Sequence, residues 1–357
     1  RIDDIVLFNN LDKEDINKII DIEMDSLLKR IDLLGYTVKI TEDAKDFIAE
    51  KGYDICLVDN YARGIHDENL ATLLLHPRIS IIEADLMDCD AVLRLGTDFF
   101  AIIHLAAIIG VRHVLERAYD VLVHNVRMLE NVISLGKQQS RLSRLLFAST
   151  SEIYAGTLKH FELPVPTSES TALAVTDLSA PRTSYMLSKI MGEAMVHQSG
   201  LPFTIFRPHN IYGPRMGMVH VIPEQLKNAF QAAAGDSLQV YSPSHTRTFC
   251  YIDDAVEMLQ RMLTCETCNG ETLNLGIQAP EVTIRDVVKA CIDVSGKPLR
   301  IEERPPTLGS PERRAPDMQK TNHLLGYKSR IGLHQGIEKT WAWYCQHVFT
   351  QEGVTSK

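Results

Sequence analysis

Tyr185-Met-Leu-Ser-Lys189 places a phenol and an ammonium four residues apart. On a helix, positions i and i+4 share a face. A lysine cation beside a phenol favours the phenolate, so such a tyrosine can act as a base near neutral pH. Alone the spacing is a weak signal, because surface pairs on amphipathic helices show it too. A second cluster lies upstream. The run Leu145-Leu-Phe-Ala148 reads as a strand and ends in Ser149-Thr-Ser-Glu-Ile-Tyr154. Small hydroxyls at the carboxyl end of a strand lie where open α/β sheets bind ligands. The same residues also read as a helix start, with Ser149 as N-cap and Glu152 three residues on.

The elements that must position these groups follow a regular pattern. Strand-like runs occur at Tyr53–Asp59, Ile79–Glu83, Phe100–Leu105, Arg144–Ala148, Phe203–Arg207 and Glu271–Leu275. Helical stretches separate the later ones at about 112–137, 182–198, 222–234, 252–264 and 283–296. This alternation predicts a Rossmann-like α/β fold, a doubly wound parallel sheet with a smaller C-terminal α/β substrate domain. Before Tyr53, residues 2–8 read as a strand, a helix runs to about Leu34, Tyr36–Ile40 alternates like a short strand, and Asp43–Lys51 reads as a short helix. The tail from Gly353 is expected to fray.

The chain has 357 residues, 45% of them hydrophobic and 23% charged. That suffices for two domains and excludes a disordered or fibrous chain. The net charge of −9 disfavours general nucleic-acid binding. No run of about 18 apolar residues predicts a membrane span. The opening Arg1-Ile-Asp-Asp4 is unlike a signal peptide. Seven scattered cysteines suggest reduced thiols and a cytoplasmic location. Cys265 and Cys268 form a single CxxC without the second ligand pair a zinc site needs, and no carboxylate–histidine cluster accompanies His104, His124, His209 or His220, so no metal is expected.

The hydroxyl strand end, the Tyr-Lys pair and the run Phe206-Arg-Pro-His-Asn-Ile-Tyr-Gly-Pro214 together resemble the extended short-chain dehydrogenase/reductase family of NAD-dependent nucleotide-sugar epimerases, dehydratases and decarboxylases. Further matching pieces over residues 53–345 are Val58-Asp-Asn60, Glu83-Ala-Asp-Leu86, His104-Leu-Ala-Ala107, His124-Asn-Val126, Thr246-Arg247, Asn274-Leu-Gly276 and Arg314-Ala-Pro-Asp317. The resemblance implies NAD as cofactor. Asp59, beside Asn60, would take the adenosine ribose, and its carboxylate would repel a 2′-phosphate. Asp85 and Leu86 would flank the adenine; Leu105, Ala106 and Ala107 would line the cofactor's middle, with Asn125 behind. Tyr185 would be the base at the sugar hydroxyl. Lys189 would hold the nicotinamide ribose, and Thr150 would share the hydrogen bond to the reacting hydroxyl. Asn210 would contact the nucleotide-sugar and Arg247 its diphosphate.

Within the family, Thr150-Ser151-Glu152 bears on the reaction. Dehydratases carry an aspartate where Ser151 stands, which counts against dehydration. Thr-Ser-Glu followed by Ile-Tyr looks like UDP-glucuronate decarboxylases. There Ser151 and Glu152 would act near C5, and Arg314 would meet the sugar carboxylate or the diphosphate. The run Arg215–Pro223 departs from those decarboxylases, and a 4-epimerase stays open. The resemblance further implies a UDP-linked sugar substrate and a homodimer through helices at about 112–137 and 182–198, with no nucleic-acid or membrane partner.

One piece does not fit. The family opens with a strand, a GxxGxxG turn and a helix whose N-terminus holds the pyrophosphate. No such glycine spacing occurs anywhere in the chain, and residues 1–52 contain only Gly35 and Gly52. Where the turn should be, residues 41–46 include Glu42, Asp43, Lys45 and Asp46. Residues 1–54 instead resemble the C-terminal small domain of Clp-family AAA+ disaggregases, through Arg1–Asn10, Lys13–Ile20, Lys29-Arg-Ile31, Leu34-Gly-Tyr36 and Ala44–Asp54. No P-loop accompanies them. The expected organisation is a chimera: 1–52 replacing the first βα unit, 53–206 binding NAD, and 207–350 binding the nucleotide-sugar, interleaved with it. Either Ile2–Phe8 or Tyr36–Ile40 must then fill the central slot of the sheet. Weak or absent NAD binding, and a catalytically impaired protein, follow as the alternative.

Overall fold

A computed structural model describes residues 5–10, 53–62, 68–306 and 311–350, with residues 5–10 as a backbone path. The strands in chain order are β1 (Ile5–Asn10), β2 (Tyr53–Asp59), β3 (Ile79–Glu83), β4 (Ala101–His104), β5 (Arg144–Ala148), β6 (Phe203–Pro208), β7 (Ile211–Tyr212), β8 (Ser237–Tyr241), β9 (Thr246–Arg247), β10 (Cys250–Tyr251), β11 (Glu271–Leu275), β12 (Val282–Thr283), β13 (Arg300–Arg304) and β14 (Arg313–Arg314). Seven of them form one sheet in the order β11-β6-β5-β4-β1-β2-β3.

The sheet is covered on both faces, as the near-continuous apolar runs of β4 and β5 require. Side chains alternate across a strand. Ala101, Ile103 and Leu146 therefore face one core, with Met258 and Met262 from the helix Ile252–Thr264. Ile102, Leu145 and Phe147 face the other, with Leu129 and Val132 from the helix Ala118–Gln138 and Val196 from the helix Thr183–Gln198. The expected helix at 112–137 is broken at Arg117, whose φ of −137° is not helical, into Val111–Glu116 and Ala118–Gln138. The four other expected helices lie within a few residues of their expected bounds, while Glu68–Leu73, Cys89–Leu93, Ala155–His160, Gln319–Leu325 and Leu333–Tyr344 are additional to those expected.

The expectation of a parallel sheet needs one correction. Pairs β2·β3, β4·β5, β5·β6 and β6·β11 are parallel. The central slot is filled by β1, which runs antiparallel to both neighbours. Ile5 lies opposite Val58 and His104 at the carboxyl edge, and Asn10 lies opposite Tyr53 at the amino edge. Backbone pairing and an apolar run are all a doubly covered slot demands. Ile5-Val-Leu-Phe8 supplies that run in either direction, so its side-chain pattern does not fix its polarity. The strand expected at 2–8 is thus present over 5–10. The elements expected at Asp12–Leu34, Tyr36–Ile40 and Asp43–Lys51, and the tail from Gly353, lie outside the described residues.

Beyond β6 the chain builds a second layer. Helix Val221–Gln231 packs with helix Ile284–Ser295 and the parallel pair β8·β13, around Leu226, Leu238, Val240, Val288 and Ile292. β11 then returns to the large sheet beside β6.

Candidate active site

β5 delivers the hydroxyl run to the carboxyl edge. Thr150, not Ser149, is the cap. Its backbone is extended, and its Oγ1 accepts from the Glu152 N–H at 3.2 Å to start a short 3-10 turn over Ser151–Tyr154. Ser149 is buried and donates instead to Glu193 Oε1 at 2.5 Å. The expected capping box with Ser149 as N-cap is therefore corrected to a cap at Thr150.

Tyr185 and Lys189 lie on the helix Thr183–Gln198, one turn apart. Lys189 is only 3% exposed, which excludes a surface pair. Its Nζ donates to the Ala148 carbonyl at 2.7 Å and lies 4.9 Å from the centre of the Phe147 ring. The ammonium is thus pinned to the last residue of β5, beside Thr150. Close helix–strand approach depends on Gly192, where an added Cβ would lie 2.6 Å from Phe147 Cζ and 3.1 Å from Leu129 Cδ2. Asn125 ties the same helix to the β4 edge. Its Oδ1 accepts from the Ile108 N–H at 2.7 Å, and its Nδ2 donates to the Ile108 carbonyl and to Ser188 Oγ, each at 3.2 Å. His104, at the end of β4, is held neutral. Burial, then the nearby Lys189 charge, pushes its pKa down to about 3.

At the carboxyl ends of β2, β3 and β4 lies a small cavity of about 90 Å³, lined by Asp59, Asn60, Leu86, Ala106, Ala107, Ile108 and Met128 among others. Asp59 Oδ1 accepts from the Tyr61 N–H at 2.7 Å and Asn60 Oδ1 from the Ala62 N–H at 3.0 Å, so both side chains are fixed at the rim. Asn131 holds the Leu86 carbonyl at 2.7 Å. Asp85 and Leu105 do not line this cavity: Asp85 caps its own turn through the Met87 N–H, and Leu105 packs on the opposite core.

A cleft of about 920 Å³ lies between the helix Val221–Gln231 and β8, with Arg247 in its wall. Gln225 Nε2 donates to the Gln239 carbonyl at 3.3 Å, while its buried Oε1 has no partner among the described residues. Arg247 donates to the carbonyls of Thr246 (2.7 Å) and Pro311 (2.6 Å). Burial, then the charge of Arg314, lowers its pKa to about 10. Arg314 Nη1 donates to Glu152 Oε1 at 2.8 Å, linking β14 to the turn after Thr150. Asn210 has a left-handed φ of 45°, and its Nδ2 donates to the Thr248 carbonyl at 2.9 Å. It braces β6 against the Thr248 segment and does not line the cleft. The sequence reading passes over this cleft and over Glu193 and Arg207. The alternation Leu238-Gln-Val-Tyr241 marked a half-buried strand, and Glu193 stands one further turn along the Tyr-Lys face.

The described residues fit a dinucleotide at its two ends, with Asp59 and an alanine-lined floor at one and Lys189 beside Thr150 at the other. The middle differs. In the expected fold the first strand delivers its glycine turn to the carboxyl edge; here β1 runs the other way and reaches Asn10 at the amino edge. Among the described residues no group of three His, Cys, Asp or Glu is placed to hold a metal. Cys265 instead gives its carbonyl to buried Arg144 at 3.1 Å.

The model of the NAD dependent epimerase/dehydratase family matches residues 43–276, about two thirds of the chain. The chain belongs to the NAD-dependent epimerase/dehydratase family. A second model, the C-terminal D2-small domain of ClpB protein, matches residues 11–56, so the two matches overlap over residues 43–56. Among relatives, the UDP-N-acetyl-alpha-D-glucosaminuronate decarboxylase of Bacillus cytotoxicus is 28% identical, covering 88% of this chain and 98% of that protein. UDP-glucuronic acid decarboxylase 6 of Arabidopsis thaliana is also 28% identical, over 80% of this chain and 79% of its own. UDP-glucuronic acid 4-epimerase from Bacillus cereus, solved with UDP-glucuronic acid and NAD, shares the fold at a TM-score of 0.67 and 24% identity, covering 78% of this chain and 85% of its own. In this epimerase/dehydratase member Lys189 is hydrogen-bonded to the end of β5, two residues before Thr150, with Tyr185 one turn back on the same helix. No described helix is long and apolar enough to cross a membrane.

Proposed function

We propose that this epimerase/dehydratase member acts on a nucleotide-linked uronic acid, oxidising the sugar at C4 so that the C5 carboxylate leaves as carbon dioxide. The carrying observation is the Glu152–Arg314 pair at 2.8 Å, which joins the turn opened by Thr150 to β14, where Arg314 is the register partner of Arg247 in β9. A hydroxyl chemistry alone needs no arginine there; a carboxylate-bearing substrate does. Two decarboxylases of uronic acids among the relatives support the same reading.

NAD, when bound, supplies the hydride acceptor and donor at C4. Tyr185 Oη removes the C4 hydroxyl proton, and Lys189, pinned to Ala148, keeps a positive charge beside the phenolate. Thr150 orients the reacting hydroxyl. The resulting β-keto acid loses carbon dioxide, and the electron pair left at C5 takes a proton from the Ser151–Glu152 side. Arg247 and Arg314 hold the anionic groups of the substrate. The nucleotide occupies the cleft along β8, where the buried Gln225 Oε1, without a partner among the described residues, can accept from a base N–H.

The division into a substituted first unit (1–52), a cofactor part (53–206) and a substrate part (207–350) belongs to this reading. So do a homodimer through helices Ala118–Gln138 and Thr183–Gln198, where Tyr119 is 76% and Met191 47% exposed, and a reducing compartment such as the cytoplasm for its free thiols. The test is incubation with excess NAD and UDP-glucuronate or UDP-N-acetylglucosaminuronate, with products read by NMR and released carbon dioxide trapped. A pentose product with carbon dioxide supports decarboxylation. A C4-inverted uronate without gas makes the protein a 4-epimerase, and a 6-deoxy-4-keto product from UDP-glucose, which has a C6 hydroxyl to lose, with both uronates left unchanged, overturns both.

A further inference from the structure

A buried charge pair ties the base-bearing helix to both ends of the hydroxyl run. Glu193 lies four residues beyond Lys189 and eight beyond Tyr185, on the same helix face. Its Oε1 accepts from Ser149 Oγ at 2.5 Å and Arg207 Nε at 2.9 Å, and its Oε2 accepts from Arg207 Nη2 at 2.6 Å. Arg207, in β6, also donates through Nη1 to Tyr154 Oη at 2.7 Å and to the Glu169 carbonyl at 3.0 Å. Glu193 is 6% and Arg207 5% exposed, and neither lines the cleft or the cofactor-side cavity.

The partners of this pair bracket the chemistry. Ser149 immediately precedes Thr150, and Tyr154 closes the turn that carries Ser151 and Glu152. The pair therefore touches the segment just before and just after its working residues, and holds both to the helix that carries Tyr185 and Lys189. A buried ion pair adds little stability over apolar side chains of equal volume. What a bidentate guanidinium–carboxylate pair adds is fixed direction. Burial alone would lower the Arg207 pKa, but the hydrogen bonds and charge of Glu193 raise it, so the guanidinium stays charged.

We propose that Glu193 and Arg207 are positioning residues that set the spacing between the Thr150–Glu152 segment and the Tyr185–Lys189 face. This rests on those residues being the catalytic ones in the proposed function. A misplacement of about 1 Å between such groups costs about a hundredfold in rate.

Two variants test it. Arg207→Lys keeps the charge but loses the two-point geometry. Glu193→Gln with Arg207→Met removes both charges, so no buried charge is left alone. The readouts are thermal melting, kcat and KM at saturating NAD, and the ultraviolet difference absorbance of the Tyr185 phenolate against a Tyr185→Phe background, which needs neither sugar nor NAD. The expected result is melting close to the parent protein, kcat down at least about tenfold with KM within about threefold, and a phenolate midpoint raised by about one pH unit. A kcat within about threefold of the parent in either folded variant overturns the proposal, as does an unmoved phenolate midpoint. If no uronic acid turns over, the proposed substrate fails, while the phenolate titration still reads the pair.

Discussion

Acid should destabilise this fold through two buried histidines. His104 and His209 are both buried, and each has its pKa pushed from 6.5 down to about 3. Burial is the first cause for both. For His104 the Lys189 charge adds to it; for His209 the hydrogen bond with Asn274 opposes it, and Arg314 and Arg207 add to it. The folded state therefore keeps both rings neutral, while an unfolded chain protonates them as pH falls below 6.5. The unfolded state then binds more protons, so stability is full above pH 6.5 and is lost as pH falls toward 3. At pH 5 the loss is about 2 kcal/mol for each ring, about 4 kcal/mol for the pair. That is a large share of the roughly 5–15 kcal/mol that holds a typical domain. The assay is urea unfolding at pH 7 and pH 5, on the parent protein and on a His104→Asn, His209→Gln variant. The variant should be less stable at pH 7 but should lose about 4 kcal/mol less between the two pH values. An equal loss in both proteins refutes the reasoning.

Gly192→Ala should cost about 1–3 kcal/mol, because Phe147 is buried and cannot yield to a Cβ 2.6 Å away; differential calorimetry reads it, and a neutral result contradicts the packing. Arg247→Gln should weaken UDP binding by about tenfold to a hundredfold, the worth of one charge-assisted hydrogen bond, measured by titration calorimetry. Arg314→Ala should raise KM for UDP-glucuronate about tenfold more than KM for UDP-glucose, since only the uronate offers a carboxylate; equal effects would remove Arg314 from sugar recognition.

Much of this was legible in the sequence because the signals are local. The continuous apolar runs of β4 and β5 announce strands covered on both faces, and helix periodicity sets Tyr185 and Lys189 one turn apart. The direction of β1 was not legible. Ile5-Val-Leu-Phe8 is apolar whichever way it runs, and polarity is decided by where the chain must go next. The Glu193–Arg207 pair joins residues fourteen apart in sequence through a strand and a helix, which no single-element pattern encodes. The cleft along β8 is likewise a product of packing between the helix Val221–Gln231 and a strand that carries no catalytic residue.

The reversed β1 sets the central question. In the proposed reading Asp59 and Lys189 serve the two ends of a dinucleotide, but the strand that should lead a glycine turn to the carboxyl edge leads to the amino edge. Losing about two charge-assisted hydrogen bonds to a pyrophosphate is worth about 3–6 kcal/mol, or a factor of about a hundred to ten thousand in affinity. The decisive measurement is the NAD released on heat-denaturing the purified protein, together with the Kd for added NAD before and after residues 1–52 are exchanged for a strand–GxxGxxG–helix unit. The prediction is little NAD retained on purification, binding on titration, and a Kd tightened by about that factor in the exchanged protein. One equivalent of NAD released from the chain as it stands, with no gain on exchange, would contradict it.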